Sequence, residues 1–417
     1  MKLRTDNRGH WPFLLGGIAV GVSQSIYYVI QGRPINLVSA PGELAAFLEM
    51  HVGFPNTLYG RVFSVDLDPV FLGIVLGAAF VGFLQGGRRS WVRYPARVLA
   101  CAFIGGVLFG VGANLAGGDF LYHTMAGVAL LQIPSLFIVA LSIPFLFISL
   151  EIMSVFNITP FFQLDQGLPD ICKEVNAGRR GQRGHRYTFS YMFYGVILVL
   201  IAGLVALNIS GNNFSPDGLA LGAILGIATA VTGFGVEWGM LVPEMSTFST
   251  RYLEQLGIGA KTSSLLQNIA LLQAWFLAVA ILSLTALATW VAHGITETLP
   301  TGISGNSLNI GHVAGGPLLA VGSVLMLGSD LRSYSRLGLG YETAFFAFPG
   351  LLLGYLPTAL WHDEISAWLD SSVITNEVWL PRLISDAHFA SLAIWAILLT
   401  GLMVFLFLSR TTKKPAP

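Results

Sequence analysis

Asp119 and His123 stand four residues apart in the stretch Gly112-Ala113-Asn114-Leu115-Ala116-Gly117-Gly118-Asp119-Phe120-Leu121-Tyr122-His123-Thr124-Met125-Ala126-Gly127, between two long apolar runs. Residues at this spacing share a helical face, so the carboxylate and the imidazole can pair. A second polar cluster is Ser329, Asp330 and Arg332, in Leu327-Gly328-Ser329-Asp330-Leu331-Arg332. Glu237 stands at the end of an apolar run, in Gly233-Phe234-Gly235-Val236-Glu237-Trp238-Gly239-Met240-Leu241-Val242, with Met240 and Val242 after it as further candidates for a solute path. An ionisable side chain inside a membrane is costly to hold and is a functional candidate for that reason. Each also has a structural reading. Aspartate is a favoured N-cap, so Asp119 can start a short helix at Phe120. His123 can be a hydrogen-bonded core histidine, Glu237 and Glu244 interfacial carboxylates, and Arg332 and Arg336 cytoplasmic anchors. Single Asp, His, Glu and Arg residues from separate segments lack metal-ligand spacing. Two cysteines, Cys101 and Cys172, make neither a thiolate cluster nor a disulfide framework. No Walker loop, Gly-x-Ser-x-Gly or His-Glu-x-x-His motif occurs. The expectation is no enzyme, no metal and no cofactor.

The elements that carry these residues are apolar. Of 417 residues 54% are hydrophobic and 11% charged, with a mean hydropathy of +0.70. A soluble domain carries about 25% charged residues, so the composition excludes a soluble enzyme, a nucleic-acid binder and a disordered chain. Lys+Arg and Asp+Glu are 22 each, which implies no polyanionic partner. The fold class expected is an all-α polytopic membrane protein, with the lipid bilayer as its first partner. Runs long enough to span lie at about 12–31, 69–87, 97–117, 131–150, 188–208, 217–236, 264–290, 308–327, 342–361 and 387–409, about ten in all. The first of these reads as a retained helix rather than a signal peptide.

Lys and Arg collect at the N-terminus, in 88–97, in the basic loop 151–187 and at the C-terminus, while 209–216 and 291–307 have none. Cytoplasmic loops carry that excess, so both termini are expected in the cytoplasm. The basic run 178–186 is then a solvated topogenic loop and not a nucleic-acid site. Four stretches, about 36–50, 119–130, 240–258 and 329–341, are too short to cross. They divide the chain into two inverted halves, 12–150 and 217–361, joined by span 188–208, with 387–409 added at the end. Inverted repeats with broken helices bring half-helix ends together near the midplane, where a solute binds. Small-residue pairs four apart (Gly17/Gly21, Gly82/Gly86, Gly106/Gly110, Gly222/Gly226, Gly311/Gly315, Gly350/Gly354) predict close helix packing rather than a wide pore.

The stretch 112–127 resembles the signature of the YeeE/YedE family of sulfur-transport membrane proteins, where members read G-A-x-L-A-G-G-C-x-x-G-H-x-x-x-G. Leu327–Arg332 looks like that family's A-G-G-C-P-x-R, and Gly233–Val242 like its G-F-x-x-Q-R-S-x-F-C. Gly32-Arg33-Pro34 with Ser39-Ala40 is similar to the opening of its first half. The resemblance implies a bacterial inner-membrane uptake protein for thiosulfate or a related small sulfur-containing or polar solute, passed along a line of cysteine thiols. This sequence departs at each thiol position: Asp119 takes the first, Val242 the second, and Ser329, or Asp330 with a one-residue slip, the third. An anionic Asp119 would repel an anionic cargo. Three resolutions stand open. Asp119 carries a proton, it pairs with His123 or Arg332, or the cargo is a cation or neutral. The alternative function is a pseudo-transporter, a structural, docking or sensory subunit with a protein partner. The acidic stretch 362–386, with Trp361, Trp368 and Trp379, would offer it extra surface or a headgroup belt.

Overall fold

The computed structural model describes residues 11–52, 58–84, 94–155, 215–235, 264–294, 307–385 and 387–411, with the single positions 203, 300 and 303. In lipid a chain must satisfy its own backbone hydrogen bonds, and helices do so within one segment. The apolar runs accordingly fold as α1 (Trp11–Gln31), α3 (Pro69–Leu84), α4 (Ala96–Ala116), α5 (Ile133–Val155), α6 (Pro216–Thr232), α7 (Ser264–Ala292), α8 (Ile310–Leu325), α10 (Glu342–Gly354) and α14 (His388–Thr411). Between them lie α2 (Ala40–Val52), a π-helical segment Tyr122–Gly127, α9 (Asp330–Leu339), and the short α11 (Leu356–Leu360), α12 (His362–Ser371) and α13 (Leu380–Ile384). A helix stands at every predicted run that falls among the described residues. Run 188–208, the short stretch 240–258 and nearly all of loop 151–187 lie outside them. Seven of the helical stretches are long and apolar enough to cross a membrane, and α3 and α6 are shorter apolar helices. The protein is an all-α, multi-pass membrane protein.

The bundle is built by backbone-to-backbone contact at glycines. A Cβ added at Gly73 or Gly77 of α3 would stand 2.3 or 2.2 Å from a carbonyl of α6, and one at Gly222 or Gly226 of α6 would stand 2.2 or 2.1 Å from a carbonyl of α3. Gly106 and Gly350 join α4 to α10 in the same way, each at 2.1 Å. Gly17 and Gly21 seat α1 on α7, and Gly311 and Gly315 seat α8 on α4. Most of the predicted glycine pairs therefore work as packing surfaces; Gly86 lies outside the described residues. The packed pairs are α1–α6, α1–α7, α3–α6, α3–α9, α4–α8, α4–α10 and α5–α8. Exposed apolar side chains such as Leu15, Ile18 and Val22 of α1 and Ile397 and Phe407 of α14 form the outer, lipid-compatible skin.

A cap covers one end of α7 and α8. Strand β1 (Leu308–Asn309) pairs antiparallel with β2 (Val373–Thr375), and Trp379 packs between Trp290 and Trp395, with ring centroids 5.3 and 5.9 Å away. Trp379 is fully buried, unlike Trp361 and Trp368, which are exposed. The surface role expected of Trp379 is corrected accordingly: its ring fills the gap where the cap meets α7 and α14.

Candidate functional site

Two helices, α4 and α8, end alike. At the end of α4, Gly117 is left-handed (φ 65), its N–H donates to Asn114 O at 3.3 Å, and Gly118 N–H donates to Ala113 O at 3.2 Å. At the end of α8, Leu327 is left-handed (φ 66), with Leu327 N–H to Val324 O at 3.0 Å and Gly328 N–H to Ser323 O at 2.8 Å. Both are Schellman closures. Each is followed at once by a new short helix: His123 N–H donates to Asp119 O at 3.1 Å and Ser333 N–H to Ser329 O at 2.8 Å. The backbone therefore aligns Ser329, not Asp330, with Asp119.

Asp119, 1% exposed, uses both carboxylate oxygens on backbone. Oδ1 accepts from Tyr122 N–H at 2.6 Å, which caps the helix that begins at Phe120. Oδ2 accepts from Leu37 N–H. The side chain of Asp330 reaches that of Asp119, so the two breaks meet at their acids. His123 does not pair with Asp119. A capping carboxylate folds back over the first turn's N–H groups, away from the face where residue i+4 sits. The His123 ring bonds instead through Nδ1 to Ser135 Oγ at 2.9 Å, and lies edge-on to His312 at 6.5 Å between centroids. Gly118 leaves the space the imidazole fills: a Cβ there would be 2.6 Å from Nε2.

α9 is a polar helix inside the protein. Asp330, Arg332, Ser333, Ser335 and Arg336 are all buried, because α9 is enclosed by α3, α6 and α10. The anchor role expected of Arg332 and Arg336 is corrected by this: each is 3% exposed. Arg336 Nη1 donates to Leu327 O, and its guanidinium sits 5.9 Å from the Tyr341 ring. The Arg332 stem lies against Gly328. Asp119 and Asp330 and the guanidiniums of Arg332 and Arg336 are thus all buried, which is costly for charged groups and marks the region as a functional candidate.

Sequence reading singled out Gly32-Arg33-Pro34 and Ser39-Ala40 but not the side chains that hold the segment between them. Residues 33–39 run between α1 and α2 as neither helix nor strand, after a left-handed Gly32. Gln24 binds both the N–H and the carbonyl of Ile35, at 2.9 and 3.5 Å, and Tyr355 Oη donates to Val38 O. The available signal was polar type within apolar runs: Gln24, Ser135, His312 and Tyr355 each interrupt a hydrophobic helix. At the edge of this segment Glu43 interacts with Ser39 and lies near Asp68, and burial raises its carboxyl to about 7. Asp68 caps α3, accepting from Val70 and Phe71 N–H at 2.7 and 3.1 Å, and burial also raises its carboxyl. Glu237, Met240, Val242 and Glu244 lie outside the described residues.

The family model described as sulphur transport matches residues 3–144. Over this stretch the chain belongs to the sulphur-transport family. No curated protein and no solved structure shows significant similarity to it. The sulphur-transport match covers α1 to α4, the first break with Asp119 and His123, and most of α5; the second break lies beyond it. The sulphur-transport match and the multi-pass helical body together point to membrane transport at family level.

Proposed function

We propose that the protein is a bacterial inner-membrane permease that takes up thiosulfate or a related small sulfur-containing or polar solute, passing it where the two breaks meet. The observation that carries this reading is the meeting of Asp119 and Asp330 at two matched helix ends, deep among helices. Irregular backbone at membrane depth is tolerated only beside a path or within protein. Asp119 and Ser329 stand where the family's thiols are expected, so polar oxygen would replace sulfur along the route. Asp330 and Arg332 would line the far side, with His123 behind the first break. Glu237, Met240 and Val242 complete the proposed path.

We further infer an inverted repeat of 12–150 and 217–361, joined by span 188–208 and followed by 387–409, about ten spans in total. Its support is a set of packed pairs that exchange into one another. Swapping α1 with α6, α3 with α7, α4 with α8 and α5 with α10 turns α3–α6 into α1–α7 and α4–α10 into α5–α8, and leaves α1–α6 and α4–α8 unchanged. The ends of α1 and α6 agree as well: Gly32 and Gly233 are both left-handed, and each N–H donates four residues back at 2.9 Å. Ten spans put both termini on one side, and the Lys/Arg-rich segments make that side, with loop 151–187, the cytoplasm.

Uptake of labelled thiosulfate by cells that lack their own uptake systems tests the function. Accumulation above vector is expected, and none would remove thiosulfate as cargo. Cysteine labelling from outside at Ser210 and His293, with protection at Gly184, tests the orientation. A second reading, a pseudo-transporter within a larger membrane complex, draws on one observation: both Asp119 oxygens are already engaged by backbone N–H groups. A stoichiometric protein partner on purification in mild detergent would favour it.

A further inference from the structure

The segment 32–39 is buried over its middle without being regular secondary structure. Ile35 and Leu37 are each 1% exposed, as deep as helical core, yet the segment is neither helix nor strand. At its ends backbone bonds join it to the neighbouring helices, Gly32 N–H to Tyr28 O of α1 and Glu43 N–H of α2 to Ser39 O, each at 2.9 Å; between those ends, side chains on three separate elements hold it. Gln24 of α1 holds Ile35, Asp119 of the first break holds Leu37 N–H, and Tyr355, at the junction of α10 and α11, holds Val38 O. A helix or a sheet ladder opens only when several backbone bonds break together. A segment fastened by single side chains opens when one or two of them turn.

We propose that residues 32–39 are a releasable strap over the first break, latched by Tyr355 and Asp119, which lifts to expose the break. The inference rests on the solute-path reading for its purpose but not for its test. Two hinges bound the strap. Gly32, left-handed at φ 67 and with open space around its Cα, allows movement at one end. Ala40, where α2 begins, bounds the other. The two latches differ in kind. Asp119 belongs to the break and caps its helix, so the strap and the break report on each other through one carboxylate. Tyr355 is a positioning residue: its ring packs 5.7 Å from Phe63, and only its hydroxyl touches the strap.

Tyr355→Phe therefore removes the latch and leaves the packing. In a full-length C101S/C172S background, single cysteines at Ile35→Cys or Leu37→Cys should react slowly with a small maleimide in detergent. Adding Tyr355→Phe should speed that reaction about fivefold, the worth of one net hydrogen bond, because labelling of a transiently open segment follows its open population. A cysteine at Ala286→Cys, fully buried in α7, should not change. An increase of less than twofold at the strap, or an equal increase at position 286, would overturn the proposal. A second measurement needs no substitution. Amide hydrogen exchange of the wild-type chain should be faster at Ile35 and Leu37 than at Val20 and Tyr28 of α1, and equal protection would also overturn it. Neither readout involves flux. A strap that lifts in a chain with no thiosulfate uptake would sink the cargo and spare the strap, while uptake with a rigid strap would do the reverse.

Discussion

The first and second breaks share a backbone and differ in the charge that holds it. At the first, the left-handed position is Gly117 and the stabilising group is an anion: Asp119 accepts from Tyr122 and Leu37. At the second, the left-handed position is Leu327, where a side chain costs roughly 1–2 kcal/mol, and the stabilising group is a cation: Arg336 donates to Leu327 O. One break is tied by an acid to a strap that comes from another helix. The other is tied by a base from its own continuation, α9. The same Schellman geometry is thus reached with opposite charge, and the two acids, Asp119 and Asp330, meet between them. A chain that needs only a bent helix does not need charge at either place, which is why these residues are the ones to test.

The largest effect is expected at Arg336. Arg336→Met keeps much of the stem volume but removes the charged donor from Leu327 O. Losing a hydrogen bond made by a charged group, with a buried carbonyl left bare, costs about 1.5–3 kcal/mol, enough to lower the apparent melting temperature in detergent. Arg336→Lys keeps the charge and should recover part of the loss. If Arg336→Met melts like wild type, the second break does not depend on its cation and the contrast between the breaks fails.

A smaller loss is expected at Asp119. Sequence reasoning alone gives Asp119→Asn little effect on stability, because asparagine caps a helix about as well as aspartate. The structure raises that expectation. Both carboxylate oxygens accept backbone N–H groups, and an amide offers one acceptor, so its NH2 must face a donor. An unsatisfied buried group costs about 1–3 kcal/mol. Asp119→Asn should lower stability by that amount, read as a drop in melting temperature, whereas Ser329→Ala, at the aligned position of the second break, should cost less. Anion uptake through Asp119→Asn should rise or hold level, because a repulsive charge is gone, and uptake of a cation should collapse. Altered melting with no change in any flux would favour the structural reading.

The helices and their glycine seams were legible because period and length are local properties: Gly222 and Gly226 predict a close approach before its partner is known. Asp119 as a cap was legible for the same reason. The burial of α9 was not. Arg332 and Arg336 read as cytoplasmic anchors because arginine near an apolar run usually is one; only the enclosure by α3, α6 and α10 reverses it. The pairing of Asp119 with Leu37, 82 residues apart, and of Tyr355 with Val38, 317 apart, has no sequence signature, since a backbone group can be claimed by any polar side chain the fold delivers.

The smallest predicted effect lies at the lip of the first break and concerns pH. Burial lifts the Glu43 carboxyl from 4.5 to about 7, with the carboxylates of Asp68 and Asp66 adding to it and Ser39 opposing it. A raised folded-state value means that the folded protein binds more protons than the unfolded chain between those two points. Stability from this group is therefore full below about pH 4.5 and is lost as pH rises through about 7. Thermal unfolding in detergent should show a melting temperature that falls across that window in wild type. Glu43→Gln should flatten the curve, because an amide has nothing to titrate. Some slope should survive, since the buried Asp68 carboxyl is shifted in the same direction. A Glu43→Gln profile that falls as steeply as wild type would mean that the pH response comes from elsewhere and that the lip carries no titration of its own.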